Sequence, residues 1–116
     1  MSNYKNYRDY ILDKLDERTL LEQLAEEASE LSQAALKLIR AKKLSNNVTP
    51  KTEQEAVLAL AEEITDYCIV IDLVCAQNWE VIGAIQENNF AKGDDVTSNP
   101  KWKRWAERLG YKEEQK

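Results

Sequence analysis

Two short runs in this chain carry carboxylates at a spacing that suits cation binding. Leu24–Leu31 reads Leu-Ala-Glu-Glu-Ala-Ser-Glu-Leu, and thirty-six residues later Leu60–Tyr67 reads Leu-Ala-Glu-Glu-Ile-Thr-Asp-Tyr. Each run holds a Glu followed three residues on by a second acid: Glu27 with Glu30, and Glu63 with Asp66. Residues three apart on a helix lie on nearly one face, so two such helices packed together point four carboxylates at one spot. At about 100° per residue, Glu27 and Glu63 fall at the border of their apolar stripes, with Glu30 and Asp66 farther round on the same side. Ionised carboxylates there are costly unless neutralised, and crowding raises their apparent pKa values. A divalent cation removes both penalties. The bland alternative is a solvated acidic helix face, common for a single Glu-Glu-x-x-Glu run. Two copies in the same phase against their apolar residues favour the site.

The ion is narrowed by what the chain lacks. It contains no His, so a helical di-iron site of the Glu-x-x-His type cannot be built. Cys68 and Cys75 are isolated, which leaves zinc short of nitrogen and sulfur ligands. An all-carboxylate set suits a hard cation that keeps several waters and shares its remaining positions with phosphate oxygens. Magnesium is the first choice and manganese the second.

Helices must position these acids. Tyr4, Tyr7, Ile11 and Leu15 recur at helical spacing and predict a short first helix. Asp16 is a candidate N-cap for a second helix from about Glu17 to about Lys43. Its predicted apolar stripe is Leu20, Leu24, Ala28, Leu31, Ala35 and Leu38. Ser45–Pro50 breaks the pattern, since Pro50 forbids continuation. Thr52 with Glu55 forms a capping box that opens a third helix, with the stripe Val57, Leu60, Ile64, Tyr67, Ile71 and Val74. Asn78 is a candidate cap for a fourth helix carrying Val81, Ile82, Ile85 and Phe90 and ending near Gly93. Asp94–Ser98 reads as loop. Asn99 and Pro100 then place a cap and a first-turn proline before a short last helix with Trp102, Trp105 and Leu109, stopped by Gly110.

The 116 residues fit one all-α domain, 1–116, resembling a four-helix bundle with a short C-terminal helix. Three Gly and two Pro in the whole chain agree with long uninterrupted helices. A net charge of −5 argues against general nucleic-acid binding. No apolar run reaches the ~18–20 residues of a membrane span, and the polar, tyrosine-rich N-terminus does not read as a signal peptide. Two unpaired Cys agree with a reducing cytoplasm. The three Trp and five Tyr exceed what one narrow bundle can cover, which predicts a homo-oligomer, most simply a two-fold dimer.

The acidic runs also resemble the MazG-like all-α nucleoside triphosphate pyrophosphatases. That family pairs Glu-Glu-x-x-Glu on one helix with Glu-x-x-Asp on a later one, matched here by Glu26, Glu27 and Glu30 and by Glu63 and Asp66. The resemblance spans roughly Leu20–Phe90. It implies hydrolysis of a nucleoside triphosphate between the α- and β-phosphates, a Mg²⁺ requirement, and a dimer or dimer of dimers whose neighbouring subunit helps line the pocket. On this reading Glu27, Glu30, Glu63 and Asp66 hold the metal, and Glu26 or Glu62 orients the attacking water or accepts its proton. Lys37, Asn89 and Lys92 are the expected substrate contacts, with Arg40, Lys101 and Arg104 as substitutes. The family's Lys four residues before an Asn on the fourth helix is missing, since Ala84 and Ile85 precede Asn88 and Asn89 by four. Trp79, Trp102 and Trp105 are expected to be buried in the bundle or at a dimer contact, with base stacking as the other role. The competing class is a non-enzymatic helical oligomerisation or regulatory module with an acidic surface.

Overall fold

A computed structural model describes residues 3–90 and 100–113, with side chains from 3–87 and 100–113. Among these residues the structure is all-helical: α1 Tyr7–Lys14, α2 Glu17–Ala41, α3 Glu53–Gln77, α4 Trp79–Phe90 and α5 Pro100–Arg108. The chain divides into two compact units, Met1–Asn78 and Trp79–Lys116. No single helix is long and apolar enough to cross a membrane.

Local chemistry sets the helix ends. Asn6 accepts the Asp9 amide at 2.9 Å and opens α1. Asp16 accepts the Thr19 amide at 2.8 Å and opens α2; hydrogen bonding from the Thr19 side chain, and then from its amide, holds the Asp16 carboxyl below its ordinary pKa. The Thr52 hydroxyl accepts the Glu55 amide at 3.1 Å, as an N-cap does, and donates to the Glu55 carboxylate at 3.0 Å. α2 stops short of Lys43. Lys43 takes a left-handed φ of 60°, and the amides of Lys43 and Leu44 donate to the carbonyls of Arg40 and Ile39 at 3.0 and 2.9 Å. That is a Schellman closure, built on lysine where the sequence offers no glycine to announce it. Asn78 serves the end of α3: its amide side chain donates to the Val74 carbonyl at 2.9 Å.

α2 and α3 form a long antiparallel hairpin. Lys42 Nζ meets Glu53 at 3.6 Å beside the connecting loop. At the far end Gln77 Nε2 donates to the Leu15 carbonyl at 2.8 Å. Leu20, fully buried, packs with Val70, Leu73 and Val74, and Ile11, Leu12, Leu15 and Leu24 close over them. α1 is tied to α3 by a two-pronged bond from the Arg8 guanidinium to Asp72 at 2.6 and 3.2 Å. This holds the Asp72 carboxyl below its ordinary range.

Leu20 and Val74 of the predicted stripes are buried, and Leu24, Leu31, Leu38, Leu60, Tyr67 and Ile71 half-buried, but the seam departs from the stripes elsewhere. Ala34 is buried while Ala28 and Ala35 are exposed. On α3 the buried residues are Ala56, Val70, Leu73 and Val74, and Val57 and Ile64 remain 43% and 46% exposed. Two long helices in continuous contact select positions every seven residues, a narrower band than a 3.6-residue stripe. On α2 that register passes through Leu20, Glu27 and Ala34, and on α3 through Ala56, Glu63 and Val70. The acids therefore lie on the seam itself, where the sequence placed them at its border.

In the second unit, Pro100 is the first residue of α5. Gly110, at φ 104°, closes that helix, with its amide on the Glu107 carbonyl and the Tyr111 amide on Ala106, both at 3.0 Å. Trp79, Trp102 and Trp105 are exposed, so the expected burial within the subunit does not occur. The predicted helix end near Gly93, the Asp94–Ser98 loop and the Asn99 cap lie outside the described residues.

Candidate metal centre

The seam brings the acids together from opposite helices. One carboxylate oxygen each from Glu27, Glu63 and Asp66 lies within 4.8 Å of the others, and all three residues are half-buried. Glu30, also half-buried, stands against the same group. Its carboxyl is pushed above its ordinary pKa, first by the charge of Glu27, then by burial, the charges of Glu63 and Glu26, and a hydrogen bond with Glu63. Three of the four predicted ligands, Glu27, Glu63 and Asp66, thus share one point, and Glu30 is close enough for its charge to couple to theirs.

Two oxygens in this cluster have no partner. Glu27 Oε2 and Glu63 Oε2 are buried without a hydrogen bond. Leaving a buried acceptor unsatisfied costs about 1–3 kcal/mol. Among the described residues no ion pair reaches Glu27, Glu30, Glu63 or Asp66. A cation would complement these charged oxygens. The donor set is oxygen only, and both thiols are free, Cys68 being exposed. Three carboxylate oxygens within 4.8 Å are an oxygen-only donor set of the kind that hard divalent ions such as Mg²⁺ or Mn²⁺ use.

The other predicted residues are less gathered. Glu26 and Glu62 are exposed, each next in sequence to a clustered Glu, and Glu26 is close enough for its charge to act on Glu30. Lys37 is half-buried on α2, two turns past Glu30, about 10 Å along the helix axis. The side chain of Asn89 and the whole of Lys92 lie outside the described residues. One neighbour was not anticipated: Gln23 Nε2 donates to Glu27 Oε1 at 3.0 Å. Its place four residues before Glu27 was the available signal.

The crowding has a consequence for pH. A carboxyl whose folded pKa lies above its unfolded value destabilises the fold once ionised, so Glu30's contribution worsens as pH rises from about its ordinary 4.5 through the raised value. Asp16 and Asp72, shifted the other way, lend stability that is lost as pH falls. The Glu30 part is isolated by difference. Without metal, Glu30→Gln is expected to gain melting temperature over wild type at pH 7–8 and to lose that advantage near pH 4. An equal difference at both ends would show that Glu30 is not crowded. Mg²⁺ binding should weaken toward about pH 5, because protons compete for the same oxygens.

No known protein family, curated protein or solved structure matches this chain.

Proposed function

We propose that this chain is a Mg²⁺-dependent nucleoside triphosphate pyrophosphohydrolase, releasing nucleoside monophosphate and pyrophosphate. The observation that carries the reading is the meeting of Glu27, Glu63 and Asp66 oxygens across the α2–α3 seam, with two of the buried oxygens unpartnered. The resemblance of the two acidic runs to the MazG-like pattern supports the same chemistry. Glu27, Glu63 and Asp66 hold the metal and Glu30 completes the set. When bound, Mg²⁺ or Mn²⁺ neutralises these acids, gathers triphosphate oxygens and lowers the pKa of coordinated water. Glu26 or Glu62, exposed beside the cluster, orients the attacking water or accepts its proton. Lys37, on the same helix as Glu27 and Glu30, is the proposed contact for the far end of an extended triphosphate.

The working form in this proposal is a homo-oligomer, a dimer or dimer of dimers, in which two hairpins complete a four-helix bundle. Supporting this, α3 exposes Val57, Leu58, Ile64 and Ile69. The setting proposed is the cytoplasm, where Cys68 and Cys75 stay reduced.

The test is a panel of ribo- and deoxyribonucleoside triphosphates incubated with the full chain and Mg²⁺ or Mn²⁺. Equal yields of monophosphate and pyrophosphate are expected from at least one. Millimolar Mg²⁺ should also raise the melting temperature, and further with nucleotide present. No pyrophosphate from any triphosphate with either metal would sink the reading.

A further inference from the structure

The two halves of the acidic repeat are not equivalent, and the difference lies at Gln23. Its amide donates to Glu27 Oε1 at 3.0 Å, while Glu27 Oε2 stays buried and unpartnered. Both residues are half-buried on one face of α2, one turn apart. At the matching place in the second half, four residues before Glu63, stands Ala59, which can donate nothing. Glu27 thus has a fixed partner on one oxygen, and Glu63 has none supplied from its own helix.

A hydrogen bond on one carboxylate oxygen restricts rotation about the terminal torsion and fixes where the other oxygen points. The identity of the donor matters equally. Lysine or arginine at position 23 would reach the same oxygen but cancel the charge that attracts a cation. A neutral amide orients the carboxylate and leaves the charge intact. Partners that hold a ligating group in this way change metal affinity by about 10–100-fold.

We infer that Gln23 is a positioning residue for the metal centre, presetting Glu27 so that its free oxygen faces Glu63 and Asp66. The inference rests on the metal-binding reading proposed above, and its test is kept separate from turnover. Mn²⁺ binding to the full chain is measured without nucleotide, by the loss of the free-ion electron paramagnetic resonance signal. The melting temperature of the metal-free chain confirms that each variant is folded at the temperature used. Gln23→Met keeps the side-chain length and removes the donor; its Kd for Mn²⁺ is expected to rise about tenfold or more. Gln23→Lys keeps a donor and adds a charge, and it should also bind weakly. Gln33→Met, at an exposed position on the same helix, should bind like wild type. A Kd for Gln23→Met equal to that of wild type overturns the inference and leaves the metal centre standing. Wild-type affinity in Gln23→Lys would overturn the requirement for a neutral donor. Failure of the wild-type chain itself to bind Mn²⁺ overturns both.

Discussion

Glu63→Gln and Asp66→Asn are expected to slow pyrophosphate release by roughly a hundredfold or more, equivalent to about 3 kcal/mol in barrier, while the metal-free protein becomes no less stable. Each substitution preserves shape and removes one negative charge from a cluster whose oxygens lie within 4.8 Å. Metal affinity falls because a ligand charge is gone. Stability holds or rises because a repulsion is relieved, and because the new amide can donate to a neighbouring carboxylate. In Glu63→Gln the amide can turn its carbonyl or its NH2 to the place of the buried, unpartnered Oε2. A structural ion pair predicts the opposite, since breaking a buried pair costs about 3–5 kcal/mol. Among the described residues no such pair involves these acids. Kinetics in saturating Mg²⁺ and thermal unfolding in chelator give the two numbers. Either variant unfolding, or both turning over like wild type, would refute the assignment.

The helices were legible because their ends are local. The Asp16 and Thr52 caps, Pro100 and Gly110 act through groups within four residues, and the structure uses each of them. The end of α2 was less so, because Lys43 adopts the left-handed conformation without being Gly or Asn. The acids were legible as a repeat, since a fixed offset survives in sequence whatever the packing. Their depth was not. Reading Leu, Val and Ile as the core placed Val57 and Ile64 inside, whereas contact between two long helices selected Ala34 and Ala56. Small residues on a seam carry little hydrophobic signal but permit close approach. Gln23 is easily passed over for a related reason: its place four residues before Glu27 permits the bond, but an amide on a charged helix reads as surface until its partner is seen.

Leu20→Ala should be the most destabilising single change in the first unit. Leu20 is 0% exposed and lies against Val70, Leu73 and Val74, with Ile11, Leu12, Leu15 and Leu24 around it. Removing a fully buried Leu side chain to Cβ costs about 2–5 kcal/mol, the larger values applying where neighbours cannot collapse into the space. Here the cavity is bounded by two helices tied to each other by Arg8 and Asp72 and by Gln77 and Leu15, so collapse is restricted. The melting temperature should fall by roughly 10–20 °C. Leu21→Ala, next in sequence but 43% exposed, should lose far less. Leu20 shares the seam register with Glu27 but lies seven residues before it, about 10 Å along the helix axis. Leu20→Ala should therefore weaken the fold and spare the centre: at a temperature where it remains folded, its Mn²⁺ affinity should match wild type. Added Mg²⁺ should restore part of the lost melting temperature, by about 2.7 kcal/mol at a hundred times Kd. If Leu20→Ala melts like wild type, the seam register assigned to α2 is wrong, and the placement of Glu27 on it fails with it.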